Sequence, residues 1–238
     1  VDPARVLTDA GLQPDGWQAR VLGSRAARLL LLCSRQAGKS SVTAALALKT
    51  ALLEPPALVL ILAPAERQSG ELFRKLTDLY NALGRPVPAA RETALQLHLA
   101  NGSRVVALPG KEGTVRSYSG VALLVIDEAA RVQDALYCSV RPMLAVSHGR
   151  LVALSTPFGK RGWFYEEWAG GNAWERVRVT ADQCPRITPE FLEEERIALG
   201  PRWFAQEYGC SFEDAVGAVF ASEDIQAALS DEVQPLFG

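Results

Sequence analysis

The sequence predicts an α/β fold, a mainly parallel sheet with flanking helices and one antiparallel hairpin. Three observations lead there. Short apolar runs alternate with stretches of helical period, the pattern of repeated strand–helix units. The runs at 29–33, 57–63 and 122–126 are continuously apolar, as strands covered on both faces require. One segment alone, from Leu95 to Leu108, changes to a period of two around Asn101-Gly102, the signature of a hairpin.

Residues 1–28 read as a polar lead-in, in which Leu12-Gln13-Pro14-Asp15-Gly16 is a turn and Trp17 to Leu22 a short helical pattern. Residues 29–33 form the first strand. Helix-forming residues follow Lys39 until Pro55-Pro56 stops them, and residues 57–63 form a second buried strand. Leu72, Phe73, Leu76, Leu79, Tyr80 and Leu83 recur at helical spacing, with Gly84 placed to cap the end. Asn101-Gly102 predicts a type I′ turn. After a glycine-bearing loop from Gly110 to Gly120 comes the strand ending at Asp127-Glu128, then one helix to about Leu144, then a strand over 150–155. A helix is expected over 163–168 and a strand over 175–180; Thr188-Pro189 opens a further helix as N-cap and first helical residue, and Gly200-Pro201 breaks it.

Hydrophobic residues make up 48% of the chain and charged residues 22%, an ordinary globular balance. The net charge of −2 gives no global basic field, so a role on nucleic acid would need local basic loops or a partner domain. Cys33, Cys138, Cys184 and Cys210 are scattered and only His98 and His148 accompany them, which argues against a zinc site or a disulfide framework. No apolar run approaches the ~18 residues of a membrane span and no signal peptide is visible, so the expectation is a soluble, intracellular protein without a membrane partner.

The chemistry gathers in two places. Ser34-Arg35-Gln36-Ala37-Gly38-Lys39-Ser40-Ser41 lies between a strand and a helix, where backbone N–H groups and a helix start cradle phosphates. Lys39 would reach the β and γ phosphates and the Ser40 hydroxyl would ligate Mg2+. The first position of the usual pattern is a small residue, and here it is Cys33. Asp127 and Glu128 end a strand, where an open α/β sheet binds its ligand. Asp127 would hold Mg2+, directly or through water, and Glu128 would polarise an attacking water. Together these make a nucleotide hydrolase of the P-loop NTPase fold, ASCE type, with Mg2+ as cofactor and ATP as substrate. Lys111, Lys160 and Arg161 read as solubility charges, and Trp163, Phe164, Tyr165 and Trp168 as helix packing.

At this point the chain resembles the ATPase domain of the large terminase subunit, the motor that packages double-stranded DNA into tailed-phage and herpesvirus capsids. The resemblance rests on Arg35 inside the phosphate loop, on Leu62-Ala63-Pro64-Ala65-Glu66-Arg67-Gln68-Ser69, on Arg116 ahead of Val125-Ile126-Asp127-Glu128-Ala129, on Ser155-Thr156-Pro157, and on Trp203-Phe204-Ala205-Gln206-Glu207-Tyr208. Ser117 follows Arg116 where the family usually has glycine. The resemblance implies that Gln18 reads adenine, that Arg35 lies near the γ-phosphate or positions Glu128, and that Arg116 is a finger inserted by a neighbouring subunit. It implies that Ser155 and Thr156 couple hydrolysis to movement by sensing the γ-phosphate.

The same resemblance implies duplex DNA, a capsid portal protein and a small terminase subunit as partners. It also implies a homo-oligomeric ring when assembled, a monomer in isolation, and residence in the host cytoplasm with transient docking on the procapsid and none in the mature virion. The expected organisation is a lead-in with the adenine segment over 1–28, an ATPase core over 29–182 and a helical C-terminal subdomain over 183–238, with no nuclease activity. A helicase-like ATPase, or a scaffold that assembles on ATP and turns over poorly, are the other readings of the same motifs.

Overall fold

A computed structural model describes residues 2–109, 118–170 and 173–214. In chain order these are α1 (Arg5–Thr8), α2 (Gly16–Gly23), β1 (Arg28–Cys33), α3 (Lys39–Leu53), β2 (Leu58–Ala63), α4 (Glu66–Ala82), β3 (Ala89–Glu92), β4 (Gln96–Leu99), β5 (Arg104–Pro109) and β6 (Leu123–Asp127). Then come α5 (Asp134–Val140), β7 (Arg150–Ser155), α6 (Gly162–Gly170), β8 (Glu175–Val179) and α7 (Pro189–Glu207). The last is broken into two helical segments at Gly200 (φ 75°, ψ 166°), where Gly200-Pro201 is expected to break it.

The eight strands form one sheet in the order β3-β4-β5-β2-β6-β7-β1-β8. From β5 to β8 every described pairing is parallel, and β3-β4-β5 is antiparallel. The central strands are apolar on both faces because each face has its own core. Leu29, Leu31, Ile61, Val125 and Val152 pack with α3 and α4 residues such as Leu46, Leu48, Phe73 and Leu76. Leu30, Leu32, Leu60, Leu124 and Ala153 point the other way, toward Tyr137, Met143, Trp163 and Phe164. The second layer is sealed by Tyr137 stacked on Trp163 with ring centroids 3.9 Å apart and planes 6° from parallel. Such a pair adds about 0.5–1.5 kcal/mol to the area it buries.

This topology decides where the site lies. β7 sits between β1 and β6, so the parallel strands deliver three loops side by side at their C-terminal edge. These are the loop after Cys33, the turn after Asp127 and the segment after Ser155. An open α/β sheet binds its ligand at that edge.

Three expectations need correction. The hairpin turn is not type I′: Gly102 takes φ 86° but Asn101 is not in the left-handed region. Gly102 N–H donates to Leu99 O (3.0 Å) and Leu99 N–H to Ser103 O (2.9 Å), a three-residue loop with the glycine as its bulge. Asn101 is held by its side chain instead, accepting from Ser103 N–H and donating to Ala51 O at 3.0 Å each. The single helix expected after Glu128 is broken into a 3-10 turn (Ala129–Arg131), α5 and a second 3-10 turn (Arg141–Leu144). Glu128 itself is left-handed at φ 49°, and Pro142 stands near the start of the last turn, so a continuous helix is impossible there. The hairpin also carries a further antiparallel strand, β3, whose exposed Ala-Ala-Arg-Glu sequence shows no alternation to read. Among the described residues no helix is long and apolar enough to cross a membrane.

Candidate active site

The chain leaves β1 at Cys33 and must reverse before α3 begins at Lys39. Two residues in the left-handed region make that turn, Gln36 at φ 58° and Gly38 at φ 88°. Gly38 tolerates this without strain. A Cβ there would also stand 2.9 Å from Gln18 Nε2, the end of a side chain that can shift, so it is the backbone conformation that calls for glycine. Cys33, the unexpected first residue, is the last residue of the strand and is fully buried in the core, where burial pushes its thiol far above the ordinary range. Its side chain therefore fills the layer beneath the loop and leaves the loop's interior free.

The loop is gripped from three sides. Ser34 is buried, its N–H donating to Val179 O (2.9 Å) and its hydroxyl to Arg35 O (3.2 Å). Arg35 donates from Nε to Glu207 Oε2 at 2.6 Å and from its backbone N–H to Glu207 O at 3.0 Å, fixing the loop to the end of α7. On the third side, Gln18 is buried; its Oε1 accepts from Asp15 N–H (2.9 Å) and its Nε2 faces Gly38 O at 3.5 Å. Arg186, which no sequence motif marks, holds both oxygens of Asp15 (2.9 and 2.7 Å) and donates to Ala37 O (3.3 Å). The lead-in, the turn before α7 and the phosphate loop thus form one hydrogen-bonded unit.

Opposite the loop, Asp127 ends β6 almost fully buried. Burial, reinforced by the neighbouring Glu128 charge and offset by Lys39, pushes its carboxyl up to about 6. One of its oxygens, Oδ1, accepts from Glu128 N–H at 2.9 Å. Glu128 reaches back across the cleft. Its Oε1 is 2.9 Å from Lys39 Nζ and its Oε2 is 2.9 Å from Arg131 Nη1. In this arrangement Arg131, rather than Arg35, is the arginine on Glu128. Arg131 Nη1 also donates to Thr156 Oγ1 at 3.2 Å. Ser155, the last residue of β7, is fully buried and its hydroxyl has no partner among the described residues.

These groups line a cleft of about 470 Å³, walled by Gly38, Lys39, Ser40, Ser41, Glu128 and Arg131 among others. That volume lies in the usual range for small-ligand sites. Gln68 and Lys75 of α4 also face it; Gln68 stands in the quoted segment after β2, which assigns it no role, and Lys75 belongs to an amphipathic helix that carries no motif. A larger cavity of about 890 Å³ lies at the opposite, N-terminal edge of the sheet beside Lys49 and Arg150. It gathers none of the phosphate-loop or β6 carboxylate groups, so the chemistry belongs to the smaller cleft.

Of the sequence-derived candidates, Arg35, Gln36, Gly38, Lys39, Ser40, Ser41, Glu128 and Thr156 line the cleft directly. Ser34, Ala37, Asp127 and Ser155 are buried around it, and Gln18 braces it from outside. Arg116 and Lys111 fall outside the described residues. Trp163 and Phe164 are buried, and Tyr165 and Trp168 pack on Phe212, so this cluster is core. The donor set suits Mg2+: a serine hydroxyl at a helix start and one buried carboxylate, with no cluster of three His, Cys, Asp or Glu among the described residues. Magnesium is held by one or two carboxylates with substrate phosphates supplying the rest.

The comparisons with known proteins agree with this geometry. Residues 30–227 match the family model of the terminase large subunit, T4likevirus-type, N-terminal. The terminase large subunit of Thermus virus P23-45 is 25% identical over 259 aligned residues, covering 93% of this chain and 53% of that protein. The chain therefore spans about half the length of the curated relatives it matches. The large terminase ATPase domain of Thermus phage P74-26 superposes with a TM-score of 0.75 at 22% identity, over 88% of this chain and 96% of that one. A large terminase from another thermophilic bacteriophage, solved in complex with ADP, gives a TM-score of 0.66 at 12% identity, over 89% of this chain and 52% of that one.

Proposed function

The chain belongs to the terminase large subunit family, through its N-terminal region, and we propose from that premise that it is the ATP-hydrolysing motor part of a viral DNA-packaging machine. The observation that carries this is the Lys39–Glu128 contact of 2.9 Å, which brings the phosphate-loop cation and the strand-end base to opposite sides of one cleft. Lys39 cannot serve Glu128 and a triphosphate equally. When phosphates enter, the ammonium turns to them, and Glu128 Oε1 is freed to accept a proton from water.

The N-terminus of α3 and the loop N–H groups favour the negative charge of the phosphates. Ser40 and Asp127 would hold Mg2+, which when bound neutralises phosphate charge. Asp127 is prepared for a cation, because a buried carboxylate held at about 6 has no full counter-charge of its own. Ser155 and Thr156 couple the site to movement, the first through a buried hydroxyl with no partner among the described residues. Gln18 would contact adenine through the second N–H of Nε2 and the second lone pair of Oε1, beyond those that face Gly38 O and Asp15 N–H.

The substrate is ATP and the track is double-stranded DNA. Subunits act as a ring on a capsid portal together with a small terminase subunit, and Arg116 serves as the finger given to a neighbour. The protein works in the host cytoplasm, docked on the procapsid during packaging. The family supports these partners in general terms, since the comparable curated proteins are whole terminase large subunits.

The test is phosphate release from ATP, measured across protein concentration with and without duplex DNA. Specific activity should rise with concentration, because a finger supplied in trans is worth ~10³–10⁵ in rate, and rise again with DNA. ATP binding and assembly without turnover would instead support the scaffold reading and overturn the motor.

A further inference from the structure

The turn after β6 contains a cation that neither the phosphate loop nor the acidic pair accounts for. Glu128 leaves the strand in the left-handed region, at φ 49° and ψ 41°, and the chain then winds through the 3-10 turn Ala129–Arg131. Arg131 N–H donates to Glu128 O at 2.9 Å. The turn thus folds back on itself, and Arg131 Nη1 comes to 2.9 Å from Glu128 Oε2. A non-glycine residue at positive φ costs of order 1–3 kcal/mol and persists only where its surroundings enforce it. What the strain secures here is the Glu128–Arg131 register.

We infer that Arg131 is the residue that orients the catalytic carboxylate and ties it to Thr156. The inference rests on the hydrolase reading of the same cleft and deepens it. The geometry is economical. Nη1 carries two N–H bonds, and its two acceptors are Glu128 Oε2 at 2.9 Å and Thr156 Oγ1 at 3.2 Å. One nitrogen therefore spans the ends of β6 and β7. The guanidinium plane is steadied by the Phe158 ring, whose centroid lies 4.6 Å from its central carbon. Arg161 lies over the same ring at 4.7 Å. The side chain is 29% exposed, and the Glu128 side chain 19%, so the pair is shielded enough for its geometry to be held.

Glu128 thus has its two oxygens divided. Lys39 holds Oε1 and Arg131 holds Oε2. Lys39 is the partner that phosphate draws away, whereas Arg131 belongs to the same turn as Glu128 and remains. Retained on Oε2, Arg131 leaves Oε1 as the one oxygen released toward water, in a direction set before substrate arrives. A side chain rotating freely would lose this, and a misplacement of about 1 Å can cost 10²-fold in rate. Arginine suits the task because its planar fork is always charged; lysine would supply the charge without a fixed pair of donors. Arg131 is a positioning residue: it abstracts no proton and need not touch the nucleotide.

The experiment compares wild type, Arg131→Ala, Arg131→Lys, Thr156→Val and the Arg131→Ala/Thr156→Val pair in nucleotide binding and in ATP turnover. For Arg131→Ala we expect kcat to fall by about 10²-fold, with ATP affinity within threefold of wild type and an unchanged far-ultraviolet circular dichroism spectrum. Arg131→Lys should recover part of kcat and not all. Losses in kcat for Arg131→Ala and Thr156→Val should be non-additive, as for residues acting through one contact. A fall in ATP affinity matching the fall in kcat would overturn the inference by making Arg131 a nucleotide ligand. Unchanged kcat in a folded Arg131→Ala protein would overturn it too, as would full additivity. Wild-type protein that binds ATP and never hydrolyses it would overturn the hydrolase reading and this one together, so the two failures are told apart by the wild-type lane.

Discussion

At the scale of single residues the site is a set of unequal carboxylates. Asp127 is buried with its carboxyl pushed up to about 6, while Glu128 stands partly exposed between two cations. The linkage has a definite sign. A carboxyl at about 6 in the folded protein against 3.8 when unfolded binds its proton more tightly in the native state. Stability is therefore undiminished below pH 3.8, falls as pH rises toward 6, and above that carries a cost of about 3 kcal/mol. Without nucleotide or Mg2+, Asp127→Asn keeps the acceptor for Glu128 N–H and removes the buried charge. It should stabilise the protein by about 1–3 kcal/mol at pH 7.5, and the gain should vanish by about pH 4. Urea denaturation midpoints at several pH values measure this; a variant less stable than wild type at pH 7.5, or a pH-independent gap, would contradict it.

At the scale of elements, the site depends on β6 and β7 ending in register. Asp127 pairs with Leu154, and Leu32 of β1 with Ser155. The approach to β7 is tighter than at any other described glycine. A Cβ on Gly149 would lie 1.9 Å from Val121 O and 2.9 Å from Leu144 Cδ2. The Val121 carbonyl is backbone and cannot swing aside. Gly149→Ala should cost about 3 kcal/mol or more, the scale of overpacking with backbone displacement, and should lower turnover through the shifted β7 end. A denaturant midpoint within experimental error of wild type would show that the two strands separate more easily than their packing indicates. The same elements explain what could be read in advance. The buried strands and α3, α4 and α7 were legible because burial on two faces, helical spacing, and the Thr188 cap leave direct marks in composition. β3 was not, because a short exposed edge strand needs no apolar pattern. Within the site, Lys39, Asp127 and Glu128 were legible from local motifs. Arg131, Arg186 and Lys75 were not, since their places arise from a 3-10 turn, a long-range contact and a helix face rather than from any spacing. Glu207 lay inside a quoted motif, yet its hold on Arg35 spans 172 positions of sequence and could be seen only after folding.

At the scale of the whole molecule, one topological fact organises the rest. β7 lies between β1 and β6, so the residues proposed to sense the γ-phosphate emerge between the loop proposed to hold it and the carboxylate proposed to direct water. Around this centre, Arg186 joins the lead-in to the loop and Glu207 joins α7 to it. Movement of the phosphate loop is therefore shared by both ends of the described chain. The central claim is that this cleft hydrolyses ATP with Glu128 as the base. Its most direct test is Glu128→Gln, which keeps the shape of the side chain and removes its ability to take a proton. Nucleotide binding, followed by fluorescence of an ATP analogue, should stay within about threefold of wild type, while turnover should fall by about 10²–10⁴-fold. Turnover within tenfold of wild type, with binding intact, would remove Glu128 from that role and with it the mechanism built on the Lys39–Glu128 exchange.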